Sequence, residues 1–152
     1  MGYTNYWHIE PSFIAQKQPK FDATMLEIMK RVVTAYNEQQ TDLEMRIKYR
    51  LDDKHIQLYG EPAVYESFDL VLDNDDPRFG RAGIDSFEFC KTARQPYDKV
   101  VKVFLKLLKY FKVIKSWRHD DNCRCAEYKN AAAFAKQVYT ADEYKRYWSM
   151  KA

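Results

Sequence analysis

Residues 86–108 read SFEFCKTARQPYDKVVKVFLKLL, and the chemistry of the chain is densest near their middle. Cys90, Lys91, Thr92 and Arg94 fall between an alternating, strand-like segment and the start of an apolar helical pattern. The first N–H groups of a helix lack intrahelical acceptors, and the helix dipole favours negative charge beside them. Lys91 and Arg94 add formal positive charge and the Thr92 hydroxyl donates a hydrogen bond, so together they can hold a phosphate or carboxylate. Tyr97 offers a ring for stacking on a base, and Asp98 an acceptor for a hydroxyl. The junction is not a Walker loop, because GxxxxGK followed by Ser or Thr is absent. The same groups also suit a structural end: Arg94 pairing with Asp98, Thr92 capping the helix and Lys91 solvated.

Other reactive side chains are scattered. The histidines occur as His8-Ile9-Glu10, His55-Ile56-Gln57 and His119-Asp120-Asp121, which match no nucleophile, metal-hydrolase or paired-histidine motif. Cys90 beside Lys91 and a helix start has the setting of a lowered thiol pKa, although a cysteine on an aromatic strand also serves as a small core residue. His119, Cys123 and Cys125 supply only three zinc-compatible groups, and Asp73, Asp75 and Asp76 depart from the calcium-loop order, so no metal is expected. Lys99, Lys102, Lys106, Lys109 and Lys112 recur along the helical pattern. Without interleaved aromatic residues they read as a solvated face whose stems cover apolar surface, rather than as a nucleic-acid site.

These groups need elements to position them. Residues 3–9 suit an opening strand closed by Pro11, with one aromatic and one polar face. Residues 21–39 carry an apolar helical stripe from Met25 to Tyr36, with Asp22 or Thr24 as N-cap. Residues 43–51 alternate strictly, with Leu43, Met45, Ile47, Tyr49 and Leu51 on one side, and Asp52-Asp53-Lys54 turns this strand into residues 55–59 as a hairpin. Further strands are expected near 68–72, 84–89 and 113–117, and helices over 96–113, within 127–138 and from a Thr140–Glu143 capping box towards Met150. The expectation is one α+β domain over residues 1–152: a mainly antiparallel sheet of about five or six strands covered by two or three helices.

Composition bounds the function. At 152 residues the chain can bury a core without disulfides, and its three cysteines show no framework spacing. No stretch reaches the roughly 20 apolar residues of a membrane span, and the opening MGYTNYWHIEP lacks the form of a signal peptide, so a cytoplasmic protein is expected. Residues 1–76 hold 8 Lys and Arg against 14 Asp and Glu, whereas 77–152 hold 17 against 8. This asymmetry can steer an anionic partner or simply pair the two halves.

Two motifs, Gly2-Tyr3-Thr4-Asn5-Tyr6-Trp7 and Phe89-Cys90-Lys91-Thr92-Ala93-Arg94-Gln95-Pro96-Tyr97-Asp98, resemble those of small phage and bacterial proteins with GYTxYW and FCKTxRxPYD. The resemblance implies a shared site made by Tyr3, Thr4, Tyr6 and Trp7 with Lys91, Thr92, Arg94, Tyr97 and Asp98. It also implies a phage setting, host cytoplasm and a host-takeover or counter-defence role, but no reaction. The expected function is noncatalytic binding of a phosphorylated or nucleotide-like small molecule, with no cofactor. The alternatives are an inhibitor that binds a host protein through an acidic or aromatic surface, and a small enzyme acting on a nucleotide-like substrate.

Overall fold

A computed structural model describes residues 4–59, 68–72, 87–91 (backbone only), 97–119 and 125–149. The element order is β1 (Thr4–Ile9), α1 (Pro11–Ile14), α2 (Ala23–Glu38), β2 (Lys48–Asp52), β3 (His55–Tyr59), β4 (Phe68–Val71) and β5 (Phe87–Lys91). Then follow α3 (Asp98–Tyr110), β6 (Ile114–His119), α4 (Ala126–Val138), α5 (Ala141–Glu143) and a π-type turn over Tyr144–Trp148. The fold is α+β and antiparallel in every described strand pair. The expected sheet of five or six strands is instead two smaller ones, ordered β5-β1-β6 and β2-β3-β4. Among the described residues no helix is long and apolar enough to cross a membrane.

Helix α3 is the hub. It touches α2, α4, β6 and the terminal turn, and Val100, Val101, Val103, Phe104, Leu105, Leu107 and Leu108 are all buried. Its end is set by Lys112, whose φ of 62° lets Lys112 N–H bond the Lys109 carbonyl and Val113 N–H the Leu108 carbonyl. That pair of bonds is a Schellman closure around a left-handed residue, and it turns the chain directly into β6.

The other helix boundaries follow local chemistry. Asp22, not Thr24, caps α2, accepting from the N–H groups of Thr24 and Met25 at 2.8 and 3.1 Å. Thr140 and Glu143 form the expected capping box. Tyr147 and Trp148 beyond it are buried against the core.

The strict alternation over 43–51 misleads for its first half. Leu43–Met45 is a 3-10 turn, and Leu43, Met45 and Tyr49 are exposed, Leu43 by 71%. The cause is Asn37 at the end of α2, whose side chain brackets Ile47. Its Oδ1 accepts from Ile47 N–H at 2.8 Å and its Nδ2 donates to the Ile47 carbonyl at 3.0 Å. The bracket occupies both backbone groups of Ile47, so the strand starts after it. Asn37→Ala should cost about 1–3 kcal/mol, because two partly buried backbone groups lose their partner. A urea-unfolding midpoint unchanged from wild type would show that water replaces the bracket without loss.

Candidate functional site

Alternation along β1 turns Asn5, Trp7 and Ile9 towards α3, all buried, while Tyr6 and His8 lie on the other face and are more exposed. β1 is the central strand of its sheet. Thr4 pairs with Lys91 of β5, and Asn5 is flanked in register by Cys90 of β5 and His119 of β6. Lys91 thus ends β5 beside Thr4, at the edge of the junction.

The first turn of α3 meets β1 through a buried polar network. Asn5 Nδ2 donates to Asp98 Oδ1 at 2.8 Å, and Lys102 Nζ donates to Asn5 Oδ1 at 3.0 Å and to Asp98 Oδ2 at 2.5 Å. Lys102 is 0% and Asp98 3% exposed. The amide between them serves both charges, accepting from the ammonium and donating to the carboxylate, which lowers the cost of taking an ion pair out of water. Burial pushes the Lys102 ammonium below the ordinary lysine value, opposed by the negative charge of Asp98 and by Cys125 and Glu127.

Those last two residues start α4. Cys125 is its N-cap, the Sγ accepting from Tyr128 N–H at 3.4 Å. The sulfur considered for metal binding therefore serves as a cap, and His119 stacks on Tyr128 with ring centres 5.6 Å apart. One turn along α3, Lys106 Nζ lies 5.7, 5.6 and 5.2 Å from the ring centres of Trp117, Tyr128 and Trp148. Lys99 similarly approaches Tyr36 and Phe134.

The solvated lysine face expected along α3 is therefore corrected for Lys99, Lys102 and Lys106, while Lys112 past its end is exposed as expected. Lys102 is inside, and Lys99 and Lys106 are half-buried against aromatic rings. The physical reason is that α3 is covered by α2, α4 and β6, leaving no broad side for a row of solvated cations.

The expected site residues divide. Asp98 is buried and bonded to Asn5, and Thr4 is buried at the start of β1. Tyr97 and Trp7 belong to the hydrophobic core. Tyr6 lies across β1 from Asp98, so these two do not face one cavity. Thr92, Arg94 and Tyr3 lie outside the described residues, as do Asp73, Asp75, Asp76 and Cys123. Asn5 and Lys102 were not expected at the site. Two signals point to them: Asn5 shares the parity of Trp7 and Ile9, and Asp98 precedes Lys102 by four residues, the spacing of an intrahelical ion pair.

Comparison with family models, with curated proteins and with solved structures finds no match for this chain.

Proposed function

We propose that this chain is a noncatalytic binding protein that holds a phosphorylated or nucleotide-like ligand at the junction between β5 and α3. The observation that carries the reading is the Asn5–Asp98–Lys102 network, which ties the first turn of α3 to the central strand of the sheet. A helix start fixed in this way presents its N–H groups without reorganisation, and its dipole favours an anion. Tyr97, the residue before α3, makes no side-chain cap hydrogen bond, whereas Glu10, Asp22, Cys125 and Thr140 cap α1, α2, α4 and α5. Lys91, Thr92 and Arg94 are the groups that would hold the anion, while Asp98 positions the helix from within. The resemblance to phage proteins adds a host-takeover or counter-defence setting to this proposal.

The test is to denature the purified protein, identify released small molecules by mass spectrometry, and titrate the compound found into wild type, Lys91→Ala and Arg94→Ala. Losing one charge-assisted hydrogen bond should weaken binding about tenfold or more in each variant. Unchanged affinity in both removes the site.

A second reading, inhibition of a host protein, is favoured by a different observation. Leu43 and Met45 in the 3-10 turn before β2, and Tyr49 in β2, are all exposed in the acidic half of the chain. Exposed aromatic and aliphatic side chains suit the core of a protein interface.

A further inference from the structure

The face of β1 turned away from the buried network carries its own chemistry. Tyr6 pairs in register with Arg118, and His8 with Ser116. The Arg118 guanidinium lies 5.1 Å from the centre of the Tyr6 ring. His8, Ser116 and Arg118 are exposed and Tyr6 partly so. Helix α3 packs on β6, and on this second face Thr4 is buried while Tyr6 and His8, with Ser116 and Arg118, are open to solvent.

The β1–β6 ladder also contains an irregularity. His8 pairs with Ser116 and Ile9 with Ile114, so Lys115 is an extra residue between them. Bulges re-aim side chains. By simple alternation Lys115 would share the inner side with Trp117, whose partner is Trp7. Instead it is exposed and lines, with His8, Ser116, Ile9 and Pro11, a cleft of about 290 Å³. No carboxylate is among the described residues that line this cleft.

We propose that this face binds single-stranded nucleic acid, with a base stacked on the Tyr6–Arg118 pair and a phosphate held in the cleft by Lys115 and the Ser116 hydroxyl. Aromatic rings and guanidinium planes exposed on a sheet are the usual platform for unpaired bases. Successive outward positions on a strand are about 6.6 Å apart, within reach of one nucleotide. The exposure of His8, Lys115, Ser116 and Arg118 along two paired strands favours a strand running across them over an enclosed mononucleotide. Charge supports the same occupant, since both cations belong to the strongly basic half of the chain. The proposal uses neither Lys91 nor residues 92–96, so it stands apart from the junction ligand.

Fluorescence anisotropy with a labelled eight-nucleotide oligouridylate and its deoxythymidine counterpart tests it, with uridine monophosphate as competitor. Wild type should bind at low salt, with affinity falling as salt rises. Arg118→Ala and Tyr6→Ala should each weaken binding about tenfold, because loss of a stacking contact costs about 1–3 kcal/mol. Tyr6→Phe should retain binding, which separates stacking from any role of the hydroxyl. Lys115→Ala should make the logarithmic salt slope shallower by about 0.7, the value for one phosphate contact to a single strand. Thermal melting confirms that the variants are folded. Absence of oligonucleotide binding by wild type overturns the proposal. So does full affinity in folded Arg118→Ala and Lys115→Ala, or displacement by the mononucleotide at the concentration at which the oligonucleotide itself competes.

Discussion

Lys102→Met should destabilise the protein by about 3–5 kcal/mol, the usual loss when one partner of a buried ion pair is removed. The substitution preserves most of the side-chain volume, so the loss comes from electrostatics rather than from a cavity. Lys102 Nζ reaches both Asp98 Oδ2 and Asn5 Oδ1, and its removal withdraws a counter-charge from a carboxylate that is almost fully buried. Combining it with Asp98→Asn should recover much of the deficit, because no carboxylate then remains, while the Asn5 amide still has a carbonyl oxygen to donate to. In urea unfolding, the double variant should therefore lose about 2 kcal/mol less than the sum of the two singles. Strict additivity would mean that Lys102 and Asp98 do not act as a pair.

The same network has a signature in pH. Because burial holds the Lys102 amine below its ordinary value of 10.5, the unfolded chain keeps a proton that the folded chain releases earlier. Folded stability then rises with pH until the unfolded value is reached. Tyr36 acts in the opposite sense, since burial raises its hydroxyl from 10.0 to about 12 and its contribution is lost as pH climbs through that range. Wild type and Lys102→Met compared from about pH 7 up to the unfolded lysine value isolate the lysine, because Tyr36 contributes equally to both. Wild type should gain on Lys102→Met across this window, and parallel curves would place the Lys102 proton elsewhere on the scale.

The parts of the fold that were legible in the sequence are those fixed by neighbours along the chain. Asp52 shows this at the hairpin, where its Oδ1 accepts from Lys54 N–H at 2.9 Å and meets His55 Nδ1 at 2.8 Å, all within four residues. Asp22 and the Thr140–Glu143 box are caps of equally short range. What escaped was set by distant partners. Residues 43–45 alternate as a strand should, yet Asn37 holds Ile47 and delays it. The lysines of α3 keep a regular spacing, but their environments are decided by which helix or strand covers each one. Asn5 lies 93 residues before Asp98, and only the pairing of β1 with α3 makes it a ligand for both charges.

Local chemistry marked the β5–α3 junction as a region of interest for the same reason, since strand alternation and Pro96 are short-range signals. That Tyr97 and Asp98 turn inward was not available. It depends on the direction in which the first turn of α3 faces, which the buried contact with β1 decides.

Phe68→Ala should cost a further class of stability, about 3–5 kcal/mol, because Phe68 joins the two sheets. It sits in β4 opposite Leu58, yet its ring lies 5.0 Å from Trp7 of the other sheet and 6.3 Å from Phe104 of α3, the latter edge-to-face at 85°. All three side chains are buried, and a truncated ring leaves a void that the rigid strands around it close only in part. For a protein of this size the melting temperature should fall by about 6–20 °C, at roughly 2–4 °C per kcal/mol. Phe68→Leu, which keeps most of the volume, should lose much less, and a change in Trp7 fluorescence should accompany both. The position also connects stability to the site. Trp7 is two residues from Asn5 and Phe104 two from Lys102, so this aromatic contact holds apart and aligns the elements that carry the network. In Phe68→Leu the alkaline rise assigned to Lys102 should persist. Its disappearance in a folded Phe68→Leu protein would show that the buried charge pair depends on the aromatic contact as well as on its own hydrogen bonds.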